Sequence, residues 1–153
     1  MAAGGQSTRR YIVAILVDSD WIIDGLSGRE AAIRRLESES LHGLAISAVT
    51  VGEVFEGAYR RPSPAASLAR YWRFMDGYQV LPVTHEIADT FARIRAELRR
   101  AGNLIPDLDL LIAATALVHD LQLLTRNQRH FARVPGLRLY DDGQRSLGTT
   151  PVS

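Results

Sequence analysis

The chain has 153 residues, 46% hydrophobic and 23% charged, enough for one domain with a sizeable core and too few for two ordinary ones. Its formal net charge of +1 lacks the basic excess that by itself announces a nucleic-acid binder. All 18 basic residues are Arg and there is no Cys, which excludes Lys-dependent mechanisms, disulfides, thiolate chemistry and Cys-based zinc sites, and fits a reducing cytoplasm.

Residues 1–10 read as a small, polar, basic tail, 11–142 as the domain and 143–153 as a second tail. Residues 11–17 are apolar and rich in β-branched side chains, the pattern of a strand buried on both faces of a parallel sheet. Arg9 and Arg10 before it imitate a twin-arginine export signal. The apolar run is too short for one, is stopped by Asp18 and Asp20, and has no small-residue cleavage site behind it. No segment approaches the length of a membrane span.

Trp21, Ile22 and Leu26 give residues 20–26 a helical spacing, and Ile33 and Leu36 belong to a second short helical piece, with Gly25 and Gly28 as punctuation. Residues 44–48 form a second strand. Residues 50–59 form a helix with Val51, Val54, Phe55 and Ala58 on one face, ended by Pro62 and Pro64. Leu68, Tyr71, Trp72 and Met75 recur at i, i+3, i+4 and i+7, an amphipathic helix. After a strand at 79–83, Thr84 caps a long helix whose inner stripe is Ile87, Phe91, Ile94 and Leu98 and which Gly102 ends. Pro106 and Asp107 open a helix running through Asp120, apolar nearly all round over 110–118 and therefore central. Residues 121–125 and 137–140 supply two last strands, separated by a polar loop and a turn around Phe131. This alternation predicts an α/β fold, a single domain with a mostly parallel sheet flanked by helices, binding its ligand at the carboxyl ends of the strands.

Three acids fall at that edge. Asp18 directly follows the first strand, where capping of the next helix by Asp18, Ser19 or Asp20 is the alternative use. Glu53 stands three residues after Thr50, the spacing of a capping box, or else points toward the same edge as Asp18. Asp109, with Asp107 nearby, sits in the first turn of the most apolar helix. The helix dipole favours both acids there, yet burying charge beside Leu110, Leu111 and Ile112 calls for a compensating cation. Three carboxylates from three helix starts suit a hard, oxygen-seeking ion, Mg2+ or Mn2+. His42, His85, His119 and His130 are scattered and receive no catalytic role, and no GxGxxG or P-loop is present.

The stretches Val17-Asp18-Ser19-Asp20-Trp21, Ser47-Ala48-Val49-Thr50-Val51-Gly52-Glu53 and Asp109-Leu110-Leu111-Ile112-Ala113-Ala114 resemble, in order, the motifs of PIN-domain ribonucleases. The likeness is greatest to the VapC toxins of toxin–antitoxin pairs. Leu124-Thr125-Arg126-Asn127 with His130-Phe131 resembles the end of that family's pattern, so the likeness spans residues 12–140. It implies a PIN-like fold and hydrolysis of RNA with Mg2+ or Mn2+ held by Asp18, Glu53 and Asp109. Asp107 is implied as an accessory acid. Asn127 stands where the family often has a fourth Asp. Arg126 and Arg129 lie near the same edge and are candidates for gripping phosphate. A homodimer and a cognate VapB-like antitoxin covering the acidic pocket are further implications. Asp18-Ser19-Asp20 also imitates the start of haloacid-dehalogenase-like phosphatases, and an acidic pocket suits a receiver module. Both usually need a Lys, and the phosphatase reading also leaves Glu53 and the Asp109 helix without a role. A catalytically silent PIN fold that binds RNA or a partner is the remaining alternative.

Overall fold

A computed structural model describes residues 14–140. The tails at 1–10 and 143–153, and the first part of the strand expected at 11–17, lie outside the described residues. Among the described residues four short parallel strands form one sheet in the order β3-β2-β1-β4. They are β1 (Ile15–Val17), β2 (Leu44–Ser47), β3 (Gln79–Leu81) and β4 (Gln122–Leu124). All three residues of β1 and all four of β2 are buried, as expected of strands covered on both faces.

The helices cover the two faces. Ile15, Val17, Leu44, Ile46 and Leu124 point to one side. There they meet α1 (Ser19–Leu26), α2 (Glu30–Glu39), α3 (Ala48–Tyr59) and α4 (Pro64–Met75) through Trp21, Ile22, Leu36, Val54, Tyr71 and Met75. The alternate residues Leu16, Ala45, Leu81 and Leu123 point to the other. They pack on α5 (His85–Arg100), α6 (Asp107–Val118) and the single-turn α7 (Gln128–Phe131). The period-2 alternation of short strands thus divides the core into two layers.

Local chemistry moves several boundaries from their expected places. Ser47 ends β2 and caps α3, its Oγ accepting from Val49 N at 3.0 Å, so that helix begins at Ala48 rather than at residue 50. Pro82 has no N–H for a ladder, and β3 stops at Leu81. Thr84 caps α5 as expected, its Oγ1 accepting from Ile87 N at 3.3 Å. Pro64 begins α4 at its first turn, where a missing N–H costs nothing. α6 ends at Val118 because Asp120 turns left-handed (φ 53°) and Leu121 N reaches back to Ala116 O at 2.8 Å. The stretch 137–140, expected as a strand, makes only the bridge Leu123 to Leu139, while the turn expected around Phe131 is the helical turn α7.

Gly25 does not interrupt its helix; Gly28, at φ 79°, does. Gly25 is buried inside α1 with the Phe74 ring of α4 so close that an added Cβ would meet its Cζ at 2.4 Å. Gly25→Ala is therefore expected to lower the melting temperature. Overpacking costs about 1–3 kcal/mol, against at most about 1 kcal/mol gained in helix propensity. An unchanged or higher melting temperature would show that the ring yields freely.

Candidate functional site

The strand order reverses about β1: the chain leaves it toward β2 and returns on its other side as β4. The crevice beyond the carboxyl ends of such strands is where open α/β sheets bind ligands. Asp18 follows β1 into this crevice, and Thr125, Arg126 and Asn127 follow β4 beside it. Continued β1–β4 pairing, with Asp18 N donating to Leu124 O at 2.9 Å, holds the two exits together.

Asp18 is both cap and buried acid. Its Oδ1 accepts from Ser19 N at 2.8 Å at the start of α1, and its Oδ2 accepts from the Thr125 hydroxyl at 2.7 Å. Only 4% of the residue is exposed. Burial, and then the charge of Asp20, push its carboxyl up to about 7; the Thr125 and Ser19 hydrogen bonds pull against this, and Asp109 adds to the rise. Thr125 Oγ1 in turn accepts from Asn127 N at 3.0 Å, so the loop after β4 is folded onto the acid it supports.

Glu53 projects from α3, and the capping box is not formed. Ser47 caps the helix, Thr50 lies within it, and both Thr50 Oγ1 and Glu53 Oε1 are buried without a hydrogen-bond partner. Burial raises the Glu53 carboxyl, followed by the charge of Asp109. The Ser19 hydroxyl opposes the rise, while Asp20 and Glu56 contribute to it. Asp109, in the first turn of α6, therefore acts through its charge on both Asp18 and Glu53, and the three acids expected at this edge lie within one another's field.

Two participants were not evident from the sequence. Asp20 belongs to the cluster rather than only to a cap. Its Oδ2 accepts from Arg126 N at 2.8 Å and its Oδ1 from Trp21 N at 2.8 Å, and burial raises its carboxyl despite those bonds. His130, on α7, has Nδ1 3.1 Å from Asp109 Oδ2. Asn127 Nδ2 donates to the same oxygen over 3.4 Å and lies 2.9 Å from His130 Nδ1. The available signal was Asn127 followed three residues later by His130, one helical turn beyond a strand end.

Other expected participants lie differently. Asp107 is committed to Arg95 of α5 in an ion pair of 2.8 Å at the surface. The Arg126 guanidinium stacks over the Trp21 ring at 4.0 Å and pairs with Asp24 at 3.0 Å, clamping the loop after β4 to α1. Arg129 is exposed, with no ion pair among the described residues. As they stand, Asp18 and Asp109 turn to their own donors. Among the described residues no three Asp, Glu or His side chains converge closely enough to hold an ion. A cleft lined by Leu36, Gly43, Phe74 and Tyr78 opens at the opposite, amino-terminal edge of β2 and β3, away from the acids. No helix among the described residues is long and apolar enough to cross a membrane.

Comparison with known proteins identifies the family. The PIN domain model matches residues 15–137. Ribonuclease VapC10 of Mycobacterium tuberculosis is 42% identical over 118 residues, covering 76% of this chain and 85% of its own. Ribonuclease VapC1 of Methanocaldococcus jannaschii is 33% identical over 129 residues, covering 83% of this chain and 87% of its own. In shape, the DNA-bound VapBC of Salmonella typhimurium superposes with a TM-score of 0.78 at 29% identity, over 84% of this chain and 98% of that one. With the sheet order, the acidic crevice and these matches in agreement, the chain belongs to the PIN-domain family, among the VapC ribonucleases.

Proposed function

We propose that this chain is a divalent-metal-dependent ribonuclease, the toxin of a toxin–antitoxin pair, whose Asp18, Glu53 and Asp109 hold Mg2+ or Mn2+ while an RNA phosphodiester is hydrolysed. The observation that carries the reading is Glu53. Its Oε1 is buried with no hydrogen-bond partner, in the field of Asp109 and Asp20. A buried carboxylate among like charges is costly, and a cation relieves both the repulsion and the missing partner. The donors are all carboxylate oxygens, which fits a hard ion. Such an ion, when bound, supplies an activated water and neutralises charge building on the reacting phosphate.

The protein's own part is positioning. Thr125 and Ser19 fix the Asp18 carboxylate at the end of β1. Asp20, latched to Arg126 N, keeps the loop after β4 against α1. Arg129, exposed and without an ion pair among the described residues, is the candidate to meet the phosphate backbone, and Arg126 acts as the clamp. Asn127 brings an amide where the family often has an acid, so the site carries one negative charge fewer. A VapB-like antitoxin covering the acids and a second copy of the chain are the proposed protein partners.

The test is cleavage of a structured RNA mixture with Mg2+, with Mn2+, with chelator, and by an Asp18→Ala control. Cutting is expected only with metal and intact Asp18. Uncut RNA across metals and substrates would leave a silent PIN fold that binds RNA or a partner, and would overturn the proposal.

A further inference from the structure

His130 has no part in the function just proposed, yet it touches one of its acids. Asp109 Oδ2 is approached by two nitrogens, His130 Nδ1 at 3.1 Å and Asn127 Nδ2 at 3.4 Å. A carboxylate oxygen only accepts, so the contact with Oδ2 is a hydrogen bond when the ring proton sits on Nδ1. The Asn127 amide nitrogen, 2.9 Å from Nδ1, would instead meet a bare lone pair, but an amide can turn its oxygen to the ring whereas an ionised carboxylate has no donor to offer, and the carboxylate therefore decides the tautomer. His130 Nδ1–H then donates to Oδ2, with the Asn127 amide packed against both groups. The other oxygen, Oδ1, has no such partner among the described residues and is free to accept one.

The backbone makes this arrangement rigid. Asn127 N donates to Thr125 Oγ1, which donates to Asp18 Oδ2, so the residue that flanks His130 is tied to the opposite acid. His130 stands in α7 beside Phe131, which is fully buried in the core layer containing Leu110 and Ile112 of α6. The ring and the carboxylate it meets are thus carried by two elements packed on one another.

We infer that His130 is a positioning residue which anchors Asp109 by Oδ2 and leaves Oδ1 to face the metal. This rests on the metal-holding role proposed for Asp109. It also gives Asn127 a use: its amide, 2.9 Å from His130 Nδ1, holds the ring that orients the acid. Groups that orient metal ligands in this way typically change metal affinity or activity by about 10–100-fold when lost.

The test is Mn2+ affinity of the full chain without RNA, read from the electron paramagnetic resonance of free Mn2+, together with melting temperature and RNA cleavage. His130→Phe keeps a ring without the donor, and His130→Asn keeps a donor close to the Nδ1 position. His130→Phe is expected to weaken Mn2+ binding by about 10–100-fold, with cleavage falling in parallel. His130→Asn is expected to recover most of that loss. A purely structural role would lower the melting temperature of the metal-free protein and would not rank these variants by donor. Wild-type Mn2+ affinity in His130→Phe, with wild-type cleavage intact, overturns this inference alone. Absence of Mn2+ binding and of cleavage in the wild type overturns the metal-dependent reading and this inference with it. Where His130→Phe does not fold, His130→Asn against His130→Gln, whose donor falls near Nε2, carries the comparison; equal Mn2+ affinity in the two overturns the inference.

Discussion

Asp18→Asn is expected to abolish most RNA cleavage and, at the same time, to raise the melting temperature of the metal-free protein at pH 8. Loss of a metal-holding carboxylate removes several kcal/mol of charge stabilisation from the reaction, at least about a hundredfold in rate. The stability gain has a separate cause. Asp18 is buried beside Asp20 and Asp109, and its carboxyl is pushed up from 3.8 to about 7. The ionised form is thus disfavoured in the folded chain by a few kcal/mol, at about 1.4 kcal/mol for each tenfold change in proton affinity. The amide avoids that cost, and its carbonyl still accepts from Ser19 N. The Thr125 hydroxyl can turn to accept from the new N–H. A net gain of about 1–2 kcal/mol corresponds to about 5 °C in a domain of this size. The gain is expected to shrink toward pH 4, where Asp18 is protonated in the folded chain and increasingly so in the unfolded one. A variant that loses cleavage together with several degrees of stability at pH 8 would show that Asp18 is mainly a cap.

That double use of Asp18 explains why the site was only partly legible in the sequence. A run of β-branched residues ending in an acid identifies a buried strand and its carboxyl edge, and the structure places Asp18 there. The same run cannot say whether the acid caps or waits for a cation, because here one oxygen caps and the other meets Thr125. Glu53 shows the opposite case. Its spacing from Thr50 imitates a capping box, but Ser47, the last residue of β2, takes the cap and leaves Thr50 Oγ1 and Glu53 Oε1 without partners. Cap competition is settled by where β2 ends, which depends on pairing with β1 and β3. His130 and Asp20 were invisible for a similar reason. Their partners, Asp109 and the Arg126 backbone, lie 21 and 106 residues away, and only the β1–β4 pairing brings the latter within reach. The stretch 137–140 has strand composition, but it follows Pro135 and Gly136 and contributes one bridge to the sheet rather than a ladder.

The acids also make the response to metal depend on pH in a direction that can be worked out. A carboxyl raised in the folded state keeps its proton where the unfolded chain has lost it, so folding binds protons and stability falls as pH rises between the two values. For Asp18 that window runs from about 3.8 to about 7, and Asp20 and Glu53 are shifted in the same direction. Metal-free protein is therefore expected to melt lower at pH 8 than at pH 5. A divalent ion bound by these oxygens takes the place of the proton and must displace it at low pH. At pH 8 the displacement is complete beforehand, and an ion at about 100 times its dissociation constant adds about 2.7 kcal/mol. Mn2+ titrated against melting temperature should thus give a clear rise at pH 8, a much smaller one at pH 5, and none at either pH in Asp18→Asn. An equal rise at both pH values, or one that survives the substitution, would place the ion on other groups, with the Asp107–Arg95 and Asp24–Arg126 pairs the first to examine. A rise confined to pH 8 and to intact Asp18 would mean that the strain of packing these acids together is relieved by the ion itself.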